Sequence, residues 1–127
     1  MRLILDTHAF IWWESEPRKL SPKAAAACQD AGNDLLLSVV SVWEMQIKIQ
    51  LGKLNLKLPL PDIIAAQQSN GLQVLAVELE HVLALDALPV HHRDPFDRLL
   101  IAQANAEGAF LVSNDHVFSA YQVNLLW

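Results

Sequence analysis

The sequence predicts an α/β fold, with a mostly parallel sheet covered on both faces by helices. Three observations predict it. Short apolar runs at residues 2–5, 35–40 and 109–113 have the near-continuous hydrophobicity of strands buried on both sides. Helix start and stop signals fall between them, so strands and helices alternate. The 127 residues, 53% of them hydrophobic and 18% charged, fit one domain, 1–127, with ample apolar material for a single core.

The elements follow in order. Residues 2–5 form a buried strand that stops at Asp6. Residues 8–14, with Phe10, Ile11, Trp12 and Trp13, suit a helix, which ends at Glu16-Pro17 because a residue before proline is pushed out of the helical region. Ser21-Pro22 opens a second helix, with serine as N-cap and proline at the first helical position, that runs to Ala31-Gly32. Residues 35–40 are the next strand, and Ser41 starts a helix that reaches Leu51-Gly52. Leu54, Leu56, Leu58 and Leu60 alternate with Asn55, Lys57 and Pro59, which reads as a loop that packs its leucines down in preference to a brief edge strand. Pro61-Asp62 opens another helix, closed by Asn70-Gly71. Residues 72–77 read as strand, 78–88 as helix and 89–93 as loop. Asp94-Pro95 opens a long helix to Glu107-Gly108, followed by a strand at 109–113 and a last one within 123–127.

Composition excludes several classes. The one cysteine, Cys28, cannot form an intramolecular disulfide or a Cys-rich zinc site, and fits a reducing cytosol. The start of the chain lacks the roughly 7–15-residue apolar stretch of a signal peptide, and no apolar run approaches the ~20 residues of a membrane span. A cytoplasmic protein is therefore expected. The net charge of -5 argues against a generic nucleic-acid binder that works by neutralising phosphates. A nucleic acid would have to be met locally, with a metal's help.

In parallel sheets, ligand sites lie beyond the carboxyl ends of the strands. Four segments deliver acids there: Asp6 after the first strand, Glu44 in the first turn after the second, Asp94 and Asp97 opening the long helix, and Asp115 after Ser113. Each has a structural explanation of its own. Ser41-Val42-Trp43-Glu44 reads as a capping box. Asp94 reads as an N-cap with Asp97 favoured by the helix dipole, Asp6 can cap the helix after it, and Asn114-Asp115 can be turn chemistry. Capping, however, requires no second acid nearby, whereas carboxylates gathered at one edge repel unless a cation sits among them. Oxygen donors suit Mg²⁺ or Mn²⁺, one ion or two, and a spare acid can orient or deprotonate an attacking water. That is equipment for phosphodiester hydrolysis.

Leu5-Asp6-Thr7-His8, Ser41-Val42-Trp43-Glu44 with Lys48, His92-Arg93-Asp94-Pro95-Phe96-Asp97-Arg98-Leu99-Leu100, Ser113-Asn114-Asp115 and Leu126-Trp127 together resemble the PIN-domain ribonucleases, in particular VapC-type toxins of bacterial toxin–antitoxin pairs. The resemblance covers essentially the whole chain. It implies a PIN-like three-layer α/β/α fold and a metal-dependent endoribonuclease whose acidic site is Asp6, Glu44, Asp97 and Asp115. Asp6 and Asp97 correspond to the best-supported metal ligands, and Glu44 and Asp115 complete the pocket or coordinate a second ion. It also implies an RNA substrate, a homodimer and a cognate antitoxin that occludes the site. Asp94 is assigned to the helix cap. The alternative is a PIN-like protein-binding module without activity. A receiver-type signalling domain fits poorly, because no acid stands directly behind residues 35–40.

Among the remaining residues, Arg93 and Arg98 flank the acid-bearing turn and are candidates for a phosphate contact or for ion pairs with Asp94 or Asp97. Lys48, four residues after Glu44, suits a helical ion pair or an RNA phosphate. Arg18, Lys19, Lys53 and Lys57 are candidates for a local basic rim. His8, His81, His91, His92 and His116 show no helical zinc spacing, and His8 and His116 stand close behind acids they can orient. Of the adjacent Trp12 and Trp13, one is expected in the core and the other facing a partner.

Overall fold

The computed structural model describes residues 1–127. Strands β1 (Arg2–Leu5), β2 (Asp34–Ser38), β3 (Gln73–Leu75), β4 (Phe110–Val112) and β5 (Leu125–Leu126) form one sheet in the order β3-β2-β1-β4-β5. Every neighbouring pair is parallel. Six helices connect and cover it: α1 (Thr7–Ser15), α2 (Pro22–Gln29), α3 (Val39–Gln50), α4 (Leu60–Ser69), α5 (Leu79–Leu83) and α6 (Pro95–Glu107).

The period of two along each strand sorts the core into two layers. Leu3 and Leu5 of β1, Leu37 of β2 and Val112 of β4 face α1, α2 and α4, where Phe10, Ala24, Cys28 and Ile63 meet them. Ile4, Leu36 and Leu111 face the other way, onto Leu100, Ile101 and Ala104 of α6 and Phe118. α3 serves both layers, with Met45 in the first and Val40 in the second. Burial also pushes the Cys28 thiol up to about 11, so it is a protonated core hydrophobe.

The elements depart from expectation at several boundaries. The second strand ends at Ser38 rather than residue 40, and Ser38, not Ser41, is the N-cap of α3, accepting the Val40 N–H at 3.1 Å. The β-branched pair Val39-Val40 looks like strand in sequence, but the Ser38 hydroxyl turns the chain first. The capping box expected at Ser41 and Glu44 therefore does not exist. The third strand is only three residues long, at the sheet edge, with Gln73 and Val74 exposed. The helix expected over 78–88 is α5 followed by a 3₁₀ turn, Ala84–Ala87. A further 3₁₀ turn, His116–Ala120, has no sequence signal beyond Asp115. Trp12 and Trp13 are both half-buried against the same layer, so neither is wholly core nor free.

One buried polar network pins α6 under β2 and β3. The Ser38 hydroxyl donates to Gln103 Oε1, and Gln103 Nε2 donates to the Ala76 carbonyl at 3.2 Å. His81, fully buried, accepts the Glu78 N–H at Nδ1 (2.9 Å), which assigns the proton to Nε2, 3.1 Å from Glu107 Oε2. Arg2 closes the chain of contacts on Glu107 Oε1 at 2.9 Å. This engagement of both ring nitrogens explains His81 without a metal. Ser41, by contrast, is fully buried and its hydroxyl has no partner.

These two serines make the helix register testable by chemical denaturation. Ser38→Ala removes a cap and leaves Gln103 Oε1 without its donor, and is expected to cost about 1–3 kcal/mol. Ser41→Ala removes only an unsatisfied hydroxyl and is expected to be neutral or stabilising, whereas a cap at Ser41 would make it the costlier of the two.

Candidate active site

Strand order reverses at β1, with β2 and β3 on one side and β4 and β5 on the other. Parallel sheets leave a crevice at such a reversal, beyond the strands' carboxyl ends. A cleft of about 330 Å³ lies there, lined by Asp6, Glu44, Asp94, Asp97 and Asp115 together with Thr7, His8, Lys48 and His92. The four acids named from sequence thus share one cavity, and Asp94 joins them.

Asp6 follows the central strand directly and is only 6% exposed. Its Oδ1 accepts the Ala9 N–H at 2.7 Å and so caps α1. Burial raises its carboxyl above the usual range, and the Ser113 hydroxyl, the Ala9 N–H and His8 oppose that rise while the Asp115 charge adds to it.

Glu44 lies on the second turn of α3 with its side chain 15% exposed. Thr7 Oγ1 donates to its Oε1 at 2.6 Å, and Lys48 Nζ stands 3.3 Å from Oε2. With both oxygens held, the carboxylate has a fixed orientation. The Glu44–Lys48 pair has the favourable i,i+4 order expected from sequence, and Lys48 also lines the cleft.

Asp94 caps α6, its Oδ1 accepting the N–H groups of Phe96 (2.9 Å) and Asp97 (3.1 Å), with Pro95 at the first helical position. Asp97 in that first turn accepts from His92 Nε2 at 2.9 Å through its Oδ2. Its carboxyl is pushed up to about 6, chiefly by burial and then by the charges of Asp94 and Glu44, against the lowering effect of the His92 hydrogen bond. Asp115 is exposed, caps the His116–Ala120 turn through the Val117 N–H at 3.1 Å, and gives its own N–H to Ser113 Oγ at 3.1 Å.

Thr7, His92 and Ser113 are functional contacts to which sequence reasoning assigns no role. Thr7 and Ser113 sit beside acids in the quoted motifs, whereas His92 is five residues before Asp97 in a loop, where spacing predicts nothing. Arg98 goes elsewhere: its Nη1 donates to the Pro89 carbonyl (2.9 Å) and stands 3.4 Å from the Tyr121 hydroxyl, fastening the loop before α6. Neither it nor the exposed Arg93 lines the cleft, and neither pairs with Asp94 or Asp97. His116 also stays outside the cleft, while His8 is part of its wall.

The family model described as PIN domain matches residues 3–124. The chain belongs to the PIN domain family. It is 28% identical over 116 residues to a protein named Ribonuclease VapC22 from Mycobacterium tuberculosis (strain ATCC 25618 / H37Rv), over 89% of this chain and 86% of that one. Among solved structures it is similar to VapBC2 from Rickettsia felis bound to a DNA fragment from their promoter, with TM-score 0.68 and 17% identity over 98% of this chain and 97% of that one. DNA-bound VapBC from Salmonella typhimurium gives 0.69 and 14% over 98% and 96%. FitAcB from Neisseria gonorrhoeae gives 0.59 and 17% over 97% and 95%. At these identities the likeness concerns the fold, and the three-layer α/β/α architecture is that of a PIN domain.

The donor set of this PIN domain's cleft suits a hard divalent cation: five carboxylates and no thiol. Donor atoms of His92, Asp94 and Asp97 lie within 4.8 Å of one another. The burial of Asp97, with repulsion from Asp94 and Glu44 added to it, also has a measurable signature. A carboxyl near 6 in the fold, against 3.8 for an ordinary Asp, means that ionising Asp97 weakens folding. That penalty is absent below about pH 4, grows to pH 6 and is complete above it. Asp97→Asn keeps an oxygen for His92 and removes the charge. In metal-free buffer it is expected to raise the thermal midpoint at pH 8 by a few degrees, on the order of 1 kcal/mol. The gain should vanish at pH 4, and an equal gain at both pH values would refute the assignment.

Proposed function

We propose that this PIN domain is a divalent-metal-dependent endoribonuclease that acts as the toxin of a toxin–antitoxin pair. The observation that carries the reading is the convergence of Asp6, Glu44, Asp97 and Asp115, from four separate segments, on one cleft at the reversal point of the sheet. Ribonuclease VapC22, similar over most of both chains, supports hydrolysis of RNA as the reaction. Asp6 and Asp97 would hold Mg²⁺ or Mn²⁺, and Glu44 and Asp115 would complete the coordination or hold a second ion. Bound there, the metal supplies a water of lowered pKa and neutralises charge developing on the phosphate.

The protein's own groups divide the remaining work. Glu44, fixed by Thr7 and Lys48, presents its carboxylate to the cleft in one orientation. Lys48 offers the one ammonium in the cleft to a phosphate oxygen. His92 fixes the Asp97 carboxylate, as partners behind metal-ligating carboxylates do. The acidic cleft also favours an antitoxin that presents a cationic segment, in keeping with the VapBC complexes among the similar structures. A second copy of the chain would cover the exposed apolar faces of α3, at Val39 and Trp43, and of α5, at Leu79, Val82 and Leu83. No helix is long and apolar enough to cross a membrane, and the cytoplasm remains the proposed location.

The direct test is incubation of antitoxin-free protein with a mixed RNA pool, with and without Mg²⁺ or Mn²⁺, followed by mapping of new RNA ends. Discrete metal-dependent ends are expected, and Asp6→Asn and Asp97→Asn should reduce them by more than about a hundredfold while circular dichroism shows a folded chain. Absence of cleavage by folded wild-type protein at every metal concentration would favour an inactive binding module. His92→Ala is expected to weaken Mn²⁺ binding, followed by electron paramagnetic resonance of the free ion, by about tenfold. Unchanged affinity would show that His92 does not support the metal ligands.

A further inference from the structure

His92 reaches Asp97 from a loop that has little else to hold it. Residues 89–93, before α6, make no backbone–backbone hydrogen bond. A segment without such bonds opens locally at low cost, and a side chain carried on it is poorly fixed. Here every hydrogen bond of the segment goes to Tyr121, Arg98 or Asp97. Arg98 and Asp97 both belong to α6, so the Arg98 bond to the Pro89 carbonyl ties the start of the loop to the helix that bears the acid. Tyr121 holds its end.

Tyr121 is a fixed point in the fold. It is only 6% exposed, in the core layer that α6 covers, and the His91 ring meets its ring edge-on with centroids 5.3 Å apart. A phenylalanine would fill the same core volume, so packing does not call for the hydroxyl. The phenol oxygen accepts the His92 N–H at 2.8 Å, and its O–H points at the His92 carbonyl over a longer 3.4 Å. These two contacts grip the peptide units on either side of the His92 Cα. With both peptide planes held, the two soft dihedrals of His92 are set, and so is the direction of its Cα–Cβ bond. The imidazole is delivered to Asp97, with Nε2 2.9 Å from Oδ2, and Oδ1 is left for a cation. The phenol is itself well placed for this, because it closes the 3₁₀ turn His116–Ala120 that begins at Asp115, another acid of the cleft.

We propose that Tyr121 is a positioning residue of the metal site, its hydroxyl fixing His92 and, through His92, the Asp97 carboxylate. The proposal rests on the metal-dependent reading of the cleft. It adds a side chain outside the cleft wall to those that determine how tightly the cleft holds its ion.

The test is Mn²⁺ binding by the full-length, metal-free protein, followed by electron paramagnetic resonance of the free ion, in a double-mutant cycle of Tyr121→Phe and His92→Ala. Tyr121→Phe keeps the ring and its packing, and circular dichroism checks the fold. Alone it is expected to weaken Mn²⁺ binding about fivefold, less than the loss of the imidazole, which stands one step nearer the ion. In His92→Ala protein it should weaken binding no further, because the group through which it acts is gone. Hydrogen exchange of the His92 amide should quicken in Tyr121→Phe. Ser21→Ala, which removes the cap of α2 and touches neither loop nor cleft, should leave Mn²⁺ affinity unchanged. Unchanged affinity or unchanged His92 exchange in Tyr121→Phe, with His92→Ala still weakened, overturns the positioning role and leaves the metal reading standing. A loss that persists in full in the His92→Ala background, or an equal loss in Ser21→Ala, overturns it as well, and so does undiminished affinity in His92→Ala. Failure of the wild-type protein to bind Mn²⁺ overturns the metal reading and the proposal with it.

Discussion

The site depends on a carboxylate in a place that disfavours it. β1 is the middle strand of a parallel sheet, so the residue after Leu5 emerges beneath the crevice rather than in solvent. Asp6 occupies that position nearly buried, and its charge is tolerated because the Ala9 N–H and the Ser113 hydroxyl are aimed at it. The same two neighbourhoods set the other acids. Thr7, the next residue, donates to Glu44, and Ser113 accepts the N–H of Asp115. The residue after Asp6 and the serine that stabilises it thus each hold one further carboxylate.

A structural role and a chemical one are not alternatives for these acids, because the fold combines both in one group. Asp6, Asp94 and Asp115 are each the N-cap of the helix or turn that follows, and each also lines the cleft. A carboxylate has two oxygens, and capping through one leaves the other to face the cavity. Helix N-termini additionally place their partial positive charge near these acids, which moderates the cost of gathering them. Glu44 is the opposite case. A capping role for it requires α3 to begin after Ser41, and the true start at Val39 leaves it on the second turn with nothing to cap.

The signals legible in the chain are those that act over a few residues. The first strand is legible to its ends, and Ser21-Pro22 and Asp94-Pro95 mark their helices, because proline geometry and side-chain caps are local. Four of the five carboxylates of the cleft can be picked out because strand-end positions are special in any parallel sheet. The illegible parts depend on contacts across the fold. His92 meets Asp97 because the Tyr121 hydroxyl, 29 residues away, accepts its backbone N–H and because Arg98 holds the Pro89 carbonyl. Gln103, a polar residue of the long helix, is fully buried because Ser38 and the Ala76 carbonyl, far off in sequence, take its amide. Arg98 stands next to Asp97 in sequence, but successive helix residues diverge by about 100°, and its fork turns to the loop.

The electrostatics of the cleft tie stability to occupancy. Five carboxylates share the cavity with one ammonium, and each acid that is brought in makes the ionisation of the next harder. Asp97 registers this directly through the charges of Asp94 and Glu44. The fold holds the cluster because the caps, the Thr7 and His92 hydrogen bonds and the Lys48 ion pair spread the compensation over several groups, so no single repulsive contact has to be overcome by one attractive one. What remains is an excess of negative charge in a partly dehydrated space. Any cation that enters relieves it, and its binding energy is then partly the recovery of folding free energy. A metal ion and a positively charged side chain from a partner meet the same excess, and each diminishes what the other can gain there.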